Sequence, residues 1–190
     1  MDQPTTPRSR GIYLLPTLFT TSALFAGFYA ATGAINGHFE AAAFAIFIAM
    51  VLDGLDGRVA RMTNTQSEFG AQYDSLADLV SFGLAPGLVA YAWGLASLGK
   101  LGWIAAFVYA TCGALRLARF NVQLGTADKR YSRGLASPSR ATLVVSFIGL
   151  CDDAGVKGTD GYMWRPALCL TFIDGVLLVG SVLAYLLQCL

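Results

Sequence analysis

Charged residues are scarce in this 190-residue chain: Asp, Glu, Lys and Arg make up 13% of it, whereas 55% of the residues are hydrophobic. A water-soluble globular protein usually carries about twice that share of charge. The composition therefore excludes an ordinary soluble domain and indicates a protein embedded in a membrane. The net charge of +1 carries no information about partners, and we expect no nucleic-acid partner.

Histidine and cysteine are scarce as well. The only histidine, His38, lies in the short segment NGHFE, and no role is predicted for it. The four cysteines lie within or at the ends of apolar runs and form no pairing motif. That pattern is typical of small packing residues. They are Cys112, Cys151, Cys169 and Cys189.

Long apolar runs make up most of the chain, and a helix needs about 20 residues to cross a bilayer. We predict an all-α integral membrane protein, a single domain over residues 1–190 with a bundle of about six transmembrane helices. The predicted spans are roughly 12–33, 39–60, 73–97, 101–122, 138–151 and 166–190. The first run is too long for a signal-peptide core, so we expect it to be retained after a flexible cytoplasmic tail at 1–10.

The cations are unevenly distributed between the loops that these spans define. With a cytoplasmic N-terminus, ten of the 13 Lys and Arg residues fall on the cytoplasmic side, and Lys100, Lys157 and Arg165 fall on the other. This bias follows the positive-inside rule. It places the cytoplasmic ends of the second and third spans, and the acids that lie there, on the side where nucleotides are found.

Four aspartates lie within the segment DGLDGRVARMTNTQSEFGAQYDSLAD, between two lipid-compatible runs. Asp53 and Asp56 are spaced i, i+3 and Asp74 and Asp78 i, i+4, so on helices each pair shares a face. Each ionised carboxylate costs about 2.5–3.5 kcal/mol at the centre of a bilayer, so the cluster requires a neutralising cation. With oxygen ligands and no nearby His or Cys, we predict Mg2+ or Mn2+, together with a phosphate-bearing substrate.

Two helices that each supply two carboxylates can hold a pair of cations across a diphosphate during an in-line displacement. We predict that Asp53, Asp56 and Asp74 are metal ligands. Asp78 is predicted to be a second-metal ligand, a general base for a hydroxyl nucleophile, or both. Arg61 is suited to bind a phosphate through two parallel hydrogen bonds.

The spacing of these acids resembles the signature of the CDP-alcohol phosphatidyltransferases, integral membrane enzymes that make phospholipid head groups. The matching positions are Asp53, Asp56, Gly57, Ala60, Arg61, Gly70, Asp74 and Asp78. The segments GIYLLPTLFTTSALFAGFYA, SLADLVSFGLAP and LRLARFNVQ resemble the phosphatidylserine synthase branch of that family. The resemblance is good from about Gly11 to Gln123.

The resemblance implies transfer of a phosphatidyl group from CDP-diacylglycerol to the hydroxyl of L-serine, with CMP as the leaving group. It also implies Asp78 as the proton acceptor, a homodimer, and a place in the cell (inner or plasma) membrane with a cytoplasmic active site. The implied CDP-diacylglycerol site is lined by Gly57, Ala60, Arg61, Ser67, Gly70, Thr17 and Thr20. Relatives commonly carry Asn at the position of Thr17, so the first span departs from the pattern there.

The acceptor side has its own candidates. Arg116 and Arg119 are spaced i, i+3 at the end of the fourth span, with Asn121 just beyond. They either bind a substrate carboxylate or phosphate, or mark the positive-inside border. Ser81 continues the face of the second aspartate pair and is a candidate lining residue. The run GLASPSRAT departs from the GLPSPAAA-like run usual in the branch, and its added Arg140 is expected to alter acceptor binding.

The residues leave alternatives open. The same chemistry can use glycerol 3-phosphate or inositol as the acceptor. The acids can be structural, in salt bridges with Arg58, Arg61, Arg116 and Arg119. A cation transporter predicts acids spread through the membrane depth, and a prenyl-diphosphate enzyme of the DDxxD type requires an adjacent acid pair that the cluster lacks. Asp174, inside the predicted last span, is flagged as functional because acids are costly there.

Overall fold

The structure is a computed structural model that describes residues 14–63, 67–124, 137–155 and 171. Over these residues the chain is helical apart from short turns and contains no strand, which confirms the predicted all-α class. The elements in chain order are α1 (Leu14–Ile35), α2 (Phe39–Thr63), α3 (Glu68–Asp78), a π-helical segment (Leu79–Leu84), α4 (Ala85–Trp93), a 3-10 turn (Leu95–Leu98), α5 (Lys100–Leu124) and α6 (Ser137–Asp153).

Within the described ranges, three helical stretches are long and apolar enough to cross a membrane. They are Thr17–Ile35, Glu68–Trp93 and Lys100–Arg119, and they match the first, third and fourth predicted spans. Helices α2 and α6 form where the second and fifth spans were predicted. However, α2 carries four charged side chains after Met50, and α6 has only 17 residues. The predicted span 166–190 and Asp174 lie outside the described residues apart from Thr171, so the bundle of six spans stays a prediction.

The predicted third span, 73–97, is present as a helical stretch, but its bounds differ and the type of helix changes along it. The chain starts this stretch earlier, at Glu68, changes to a π-helix after Asp78, and ends α4 at Trp93. Pro86 lies in the first turn of α4, and its missing N–H removes a hydrogen bond that a continuous α-helix would make. The wider π turn takes up this change directly after Asp78. Single π turns inside helices often mark functional sites.

The core is built mainly from small side chains. Ala30 of α1 and Ala42 and Ile46 of α2 are fully buried, where these two helices pack against each other. Many large apolar side chains are instead exposed on the outside of the bundle. They include Phe25, Phe28, Phe44, Trp103 and Phe107. Small residues between helices and bulky apolar residues outside are typical of helices that pack within lipid.

A close contact fixes α1 against the π-helical segment. A Cβ atom built on Gly27 would lie 2.5 Å from the Ser81 Oγ atom, so only glycine permits this approach. The Ser81 hydroxyl, which is 1% exposed, donates a hydrogen bond to the Ala23 carbonyl oxygen at 3.1 Å. This packing holds α1 beside the turn that follows Asp78.

Candidate metal and acceptor site

Helices α2 and α3 bring three aspartates together. One carboxylate oxygen from each of Asp53, Asp56 and Asp74 lies within 4.8 Å of the other two. The first two residues share a face of α2, and the third lies on α3, as their spacing predicts. Three negative groups at this separation repel one another, and a shared cation removes that repulsion.

The local surroundings fit a hard divalent cation. Asp56 is only 5% exposed, and the Asp74 Oδ1 atom is buried without a hydrogen-bond partner among the described residues. A buried carboxylate oxygen that lacks a donor is costly unless a cation coordinates it. Because the donors are all oxygens, the set suits Mg2+ or Mn2+ better than a metal that prefers nitrogen or sulfur.

Asp78 lies beside this triad and is not one of its three members. Its carboxyl group is hydrogen bonded to that of Asp53, which lies on the neighbouring helix. Two carboxyl groups in such contact share either a proton or a cation. Asp78 therefore lies next to the candidate metal site, and both of its predicted roles, as proton acceptor and as metal ligand, stay predictions.

Helix α1 contributes to the triad through Thr20. The Thr20 Oγ1 atom donates a buried hydrogen bond of 2.8 Å to Asp56 Oδ2. This hydrogen bond orients the Asp56 carboxylate. The contact of Thr20 with a nucleotide, which the resemblance implied, stays a prediction. Thr17 lies one turn earlier, and its carbonyl oxygen accepts from the Thr21 hydroxyl at 2.6 Å. That hydroxyl also contacts the Tyr73 hydroxyl at 2.9 Å, which joins α1 to α3 next to Asp74.

The remaining residues implied for the nucleotide site occupy two helix ends. Gly57, Ala60 and Arg61 follow Asp56 along α2. Ser67 and Gly70 lie at the start of α3, where the Ser67 Oγ atom accepts a 3.0 Å hydrogen bond from the Gly70 N–H group. The Ser67 hydroxyl therefore caps α3, because the first N–H groups of a helix lack partners within it. Its contact with a nucleotide stays a prediction.

A pocket opens on the far side of Asp78. Its lining residues are Asp78, Phe82, Gly83, Tyr109, Gly113, Arg116, Leu117 and Arg140. Of the residues predicted for the acceptor side, Arg116 lines this pocket, whereas Arg119 does not. Arg140 reaches the pocket from α6, although the sequence identified it only as a departure from the family pattern.

Two other acceptor candidates have structural partners. Asn121 Nδ2 donates to the Ser75 Oγ atom at 3.1 Å, which links α5 to α3 beside Asp74. Ser81 is directed away from the pocket, into the contact with α1. Its prediction as a lining residue rested on helical periodicity, and the π turn after Asp78 shifts that periodicity. Sequence reasoning missed the partners Ser75 and Tyr73, because polar contacts between helices leave no local signal.

Three converging carboxylates beside apolar helices form a group that could hold a divalent cation. The chain belongs to the CDP-alcohol phosphatidyltransferase family, because the model of that family matches residues 13–186. Its members depend on divalent metal ions in general, in agreement with the triad.

Several relatives carry the name CDP-diacylglycerol–serine O-phosphatidyltransferase. The protein from Helicobacter pylori is 39% identical over 171 residues, which cover 90% of this chain and 71% of the relative. The protein from Bacillus subtilis is 33% identical over 137 residues, or 72% of each chain. The protein from Saccharomyces cerevisiae is 38% identical over 174 residues, which cover 80% of this chain and 62% of the relative.

Proposed function

We propose that this protein transfers the phosphatidyl group of CDP-diacylglycerol to the hydroxyl of L-serine, which gives phosphatidylserine and CMP. The observation that carries the proposal is the triad of Asp53, Asp56 and Asp74 with Asp78 in hydrogen-bonding contact beside it. Relatives named for this reaction cover most of the chain, and they support serine as the acceptor.

In this proposal Asp53, Asp56 and Asp74 hold one or two Mg2+ or Mn2+ ions, which neutralise the charge of the diphosphate. The serine oxygen attacks the phosphorus that bears the diacylglycerol group. The bond between that phosphorus and the oxygen bridging to CMP breaks, and CMP leaves with the bridging oxygen. The new bond joins the serine oxygen to the phosphatidyl group.

Asp78 accepts the proton of the serine hydroxyl. A neutral hydroxyl is a weak nucleophile, so a base within hydrogen-bonding reach is required. The position of Asp78 supports this role, because it touches Asp53 on one side and lines the pocket with Arg116 on the other. A hydroxyl bound in that pocket would have Asp78 in the pocket wall.

The nucleotide is proposed to lie along the ends of α2 and α3. Gly57 and Gly70 carry no side chain, so a pyrimidine and its ribose can approach the backbone closely. Arg61 would bind a phosphate. Ala60, Ser67, Thr17 and Thr20 complete the proposed lining, with Thr20 acting through Asp56.

The location and assembly are also proposals. The predicted distribution of cations supports a cytoplasmic N-terminus and a cytoplasmic active site, and the three apolar helical stretches support an integral position in the cell membrane. A homodimer is proposed by analogy with the family alone.

The decisive experiment supplies purified protein in vesicles with CDP-diacylglycerol and, separately, labelled L-serine, glycerol 3-phosphate or inositol. We expect phosphatidylserine and CMP in equal amounts, no product with the other alcohols, and no turnover until Mg2+ or Mn2+ replaces a chelator. Product from glycerol 3-phosphate instead of serine would overturn the proposed acceptor. That second candidate is favoured by the two arginines in the pocket, since they suit a phosphate as well as a carboxylate.

A further inference from the structure

Two arginines from different helices line the pocket that Asp78 borders. Arg116 comes from the last third of α5 and Arg140 from the first turn of α6. Because both side chains line the same small pocket, their positive charges act on the same space. An anionic group placed in this pocket would face both of them and would have Asp78 as its neighbour.

We propose that Arg140, together with Arg116, binds the anionic group of the acceptor and so selects the acceptor for this chain. This inference rests on the proposed function, in which that group is the carboxylate of L-serine. Serine carries its hydroxyl two carbons away from its carboxylate. One end of the molecule can therefore meet Asp78 while the other meets the arginines. Guanidinium groups suit this task because they bind a carboxylate through two parallel hydrogen bonds.

The pocket is narrow: its cavity volume is about 10 Å³, close to the room that one water molecule needs. A Cβ atom on Gly113 would lie 3.4 Å from the Gly83 Cα atom, so α5 and the π-helical segment meet at two glycines. The Tyr109 hydroxyl donates to the Phe82 carbonyl oxygen at 3.4 Å and ties the same two elements together. This wall of the pocket is therefore fixed, and serine would enter only if long side chains that line the pocket, such as Arg116 and Arg140, moved aside.

The position of Arg140 is fixed by the packing of α6. The next residue, Ala141, is fully buried, and so are Val145 and, to within a few per cent, Val144 and Ile148. This apolar face anchors the helix against the bundle. Arg140 thus enters the pocket from a rigid element, as a residue that determines specificity must do.

The test compares Arg140→Gln with the wild-type enzyme in steady-state transfer from CDP-diacylglycerol to L-serine. We expect the KM for serine to rise at least about tenfold, since a charged hydrogen bond is lost. The kcat should stay within about threefold and the KM for CDP-diacylglycerol should not change, because the metal side is untouched. Lys100→Gln removes a cation at the exposed far end of α5 and serves as the control, with unchanged constants.

An acceptor without a carboxylate distinguishes loss of the contact between Arg140 and the carboxylate from a general disruption of the enzyme. L-serinamide keeps the hydroxyl and the amine, so the wild-type KM for it should already be high, and Arg140→Gln should add little. An equal rise for serine and serinamide would overturn the proposal, and so would a serine KM within about twofold of wild type. Should Arg140→Gln not fold, Arg140→Lys keeps a positive charge there. The proposal then requires an intermediate rise in the KM for serine, and an unchanged KM rejects it.

Failure of the proposed function has a different signature. If the wild-type enzyme transfers to glycerol 3-phosphate instead of serine, the assignment of the acceptor is wrong. The contact of Arg140 is then tested with glycerol 3-phosphate as the acceptor. An unchanged KM for glycerol 3-phosphate in Arg140→Gln would overturn the contact, and a tenfold rise would uphold it. Equilibrium dialysis with labelled L-serine, CDP and Mn2+ measures the same contact without turnover. If serine is the acceptor, equal binding of serine by wild type and Arg140→Gln rejects the inference.

Discussion

The metal side and the acceptor side of the site are built in different ways. The triad comes from α2 and α3, which are neighbours along the chain, and two of its acids, Asp53 and Asp56, share a face of α2 through i, i+3 spacing. The acceptor pocket joins Asp78 to Arg116 and Arg140, from three helices far apart in the sequence. The metal side is therefore local and readable from a motif, whereas the acceptor side depends on how the bundle packs.

This contrast separates two sets of residues: those proposed to bind the metal and the diphosphate, and those proposed to bind the acceptor. In the proposed function, the closely spaced acids bind the metal and the diphosphate. The proposed acceptor pocket includes a single residue from a distant helix, Arg140. Substitutions on the two sides should consequently affect different kinetic constants.

The largest effect is expected from Asp74→Asn. This change removes a negative ligand whose buried Oδ1 atom has no other described partner. Transfer should fall by at least about 10³-fold, and excess Mn2+ should not restore it. The measurement is phosphatidylserine formation at saturating substrates across a metal titration. Asp153→Asn, at the exposed end of α6, is the matched control, and similar activities of the two variants would contradict the metal assignment.

Asp78→Asn should reduce kcat by about 10² to 10⁴-fold, because the amide cannot accept the proton of the serine hydroxyl. Binding of CDP-diacylglycerol should be spared, since the triad remains. Turnover is measured beside equilibrium binding of the labelled liponucleotide. Turnover at the wild-type rate would remove the base assignment.

A smaller effect is expected from Thr20→Val, which deletes the 2.8 Å hydrogen bond to Asp56 and keeps the shape of the side chain. Loss of a partner that orients a metal ligand typically costs about 10 to 100-fold in metal affinity or activity. We expect a higher Mn2+ requirement with an unchanged KM for serine. Thr32→Val makes the same change on the same helix, where the hydroxyl bonds, among the described residues, to the carbonyls of Phe28 and Tyr29, and should behave as wild type.

The smallest effect is expected from Asn121→Ala, which breaks the link between Asn121 and Ser75. The substitution is on α5 and leaves the helices that carry the carboxylates, α2 and α3, unchanged. Activity should therefore fall only about two- to fivefold, in line with the loss of a neutral hydrogen bond. Rates are compared with Asn36→Ala, the same change in the exposed turn after α1. A loss as large as that of Asp74→Asn would mean that Asn121 itself contacts a substrate.

The sequence predicted the parts of this site that depend on local periodicity. The all-α class, the first and fourth spans and the convergence of Asp53, Asp56 and Asp74 were all accessible from spacing and hydropathy. The π turn after Asp78 was not, because a helix that widens for one turn leaves no distinct pattern. The Ser81 hydroxyl bonds to α1 beside this turn, and its place in the acceptor site stays a prediction.

Contacts between distant helices lay beyond prediction for a related reason. The bond from Thr20 to Asp56 joins residues 36 positions apart, and the approach of Arg140 to Arg116 depends on the packing of α6. Nothing in a single sequence specifies which face of α6 turns towards α5. The motif therefore revealed the reaction class, and the fold was required to locate the acceptor pocket.

The most direct test of the metal site is a Mn2+ titration of the purified protein, followed by electron paramagnetic resonance in the presence of CDP. The account predicts tight binding by the wild-type protein, a strong loss in Asp74→Asn and little change in Arg140→Gln. Equal Mn2+ binding by the wild type and Asp74→Asn would contradict the claim that α2 and α3 together hold the metal.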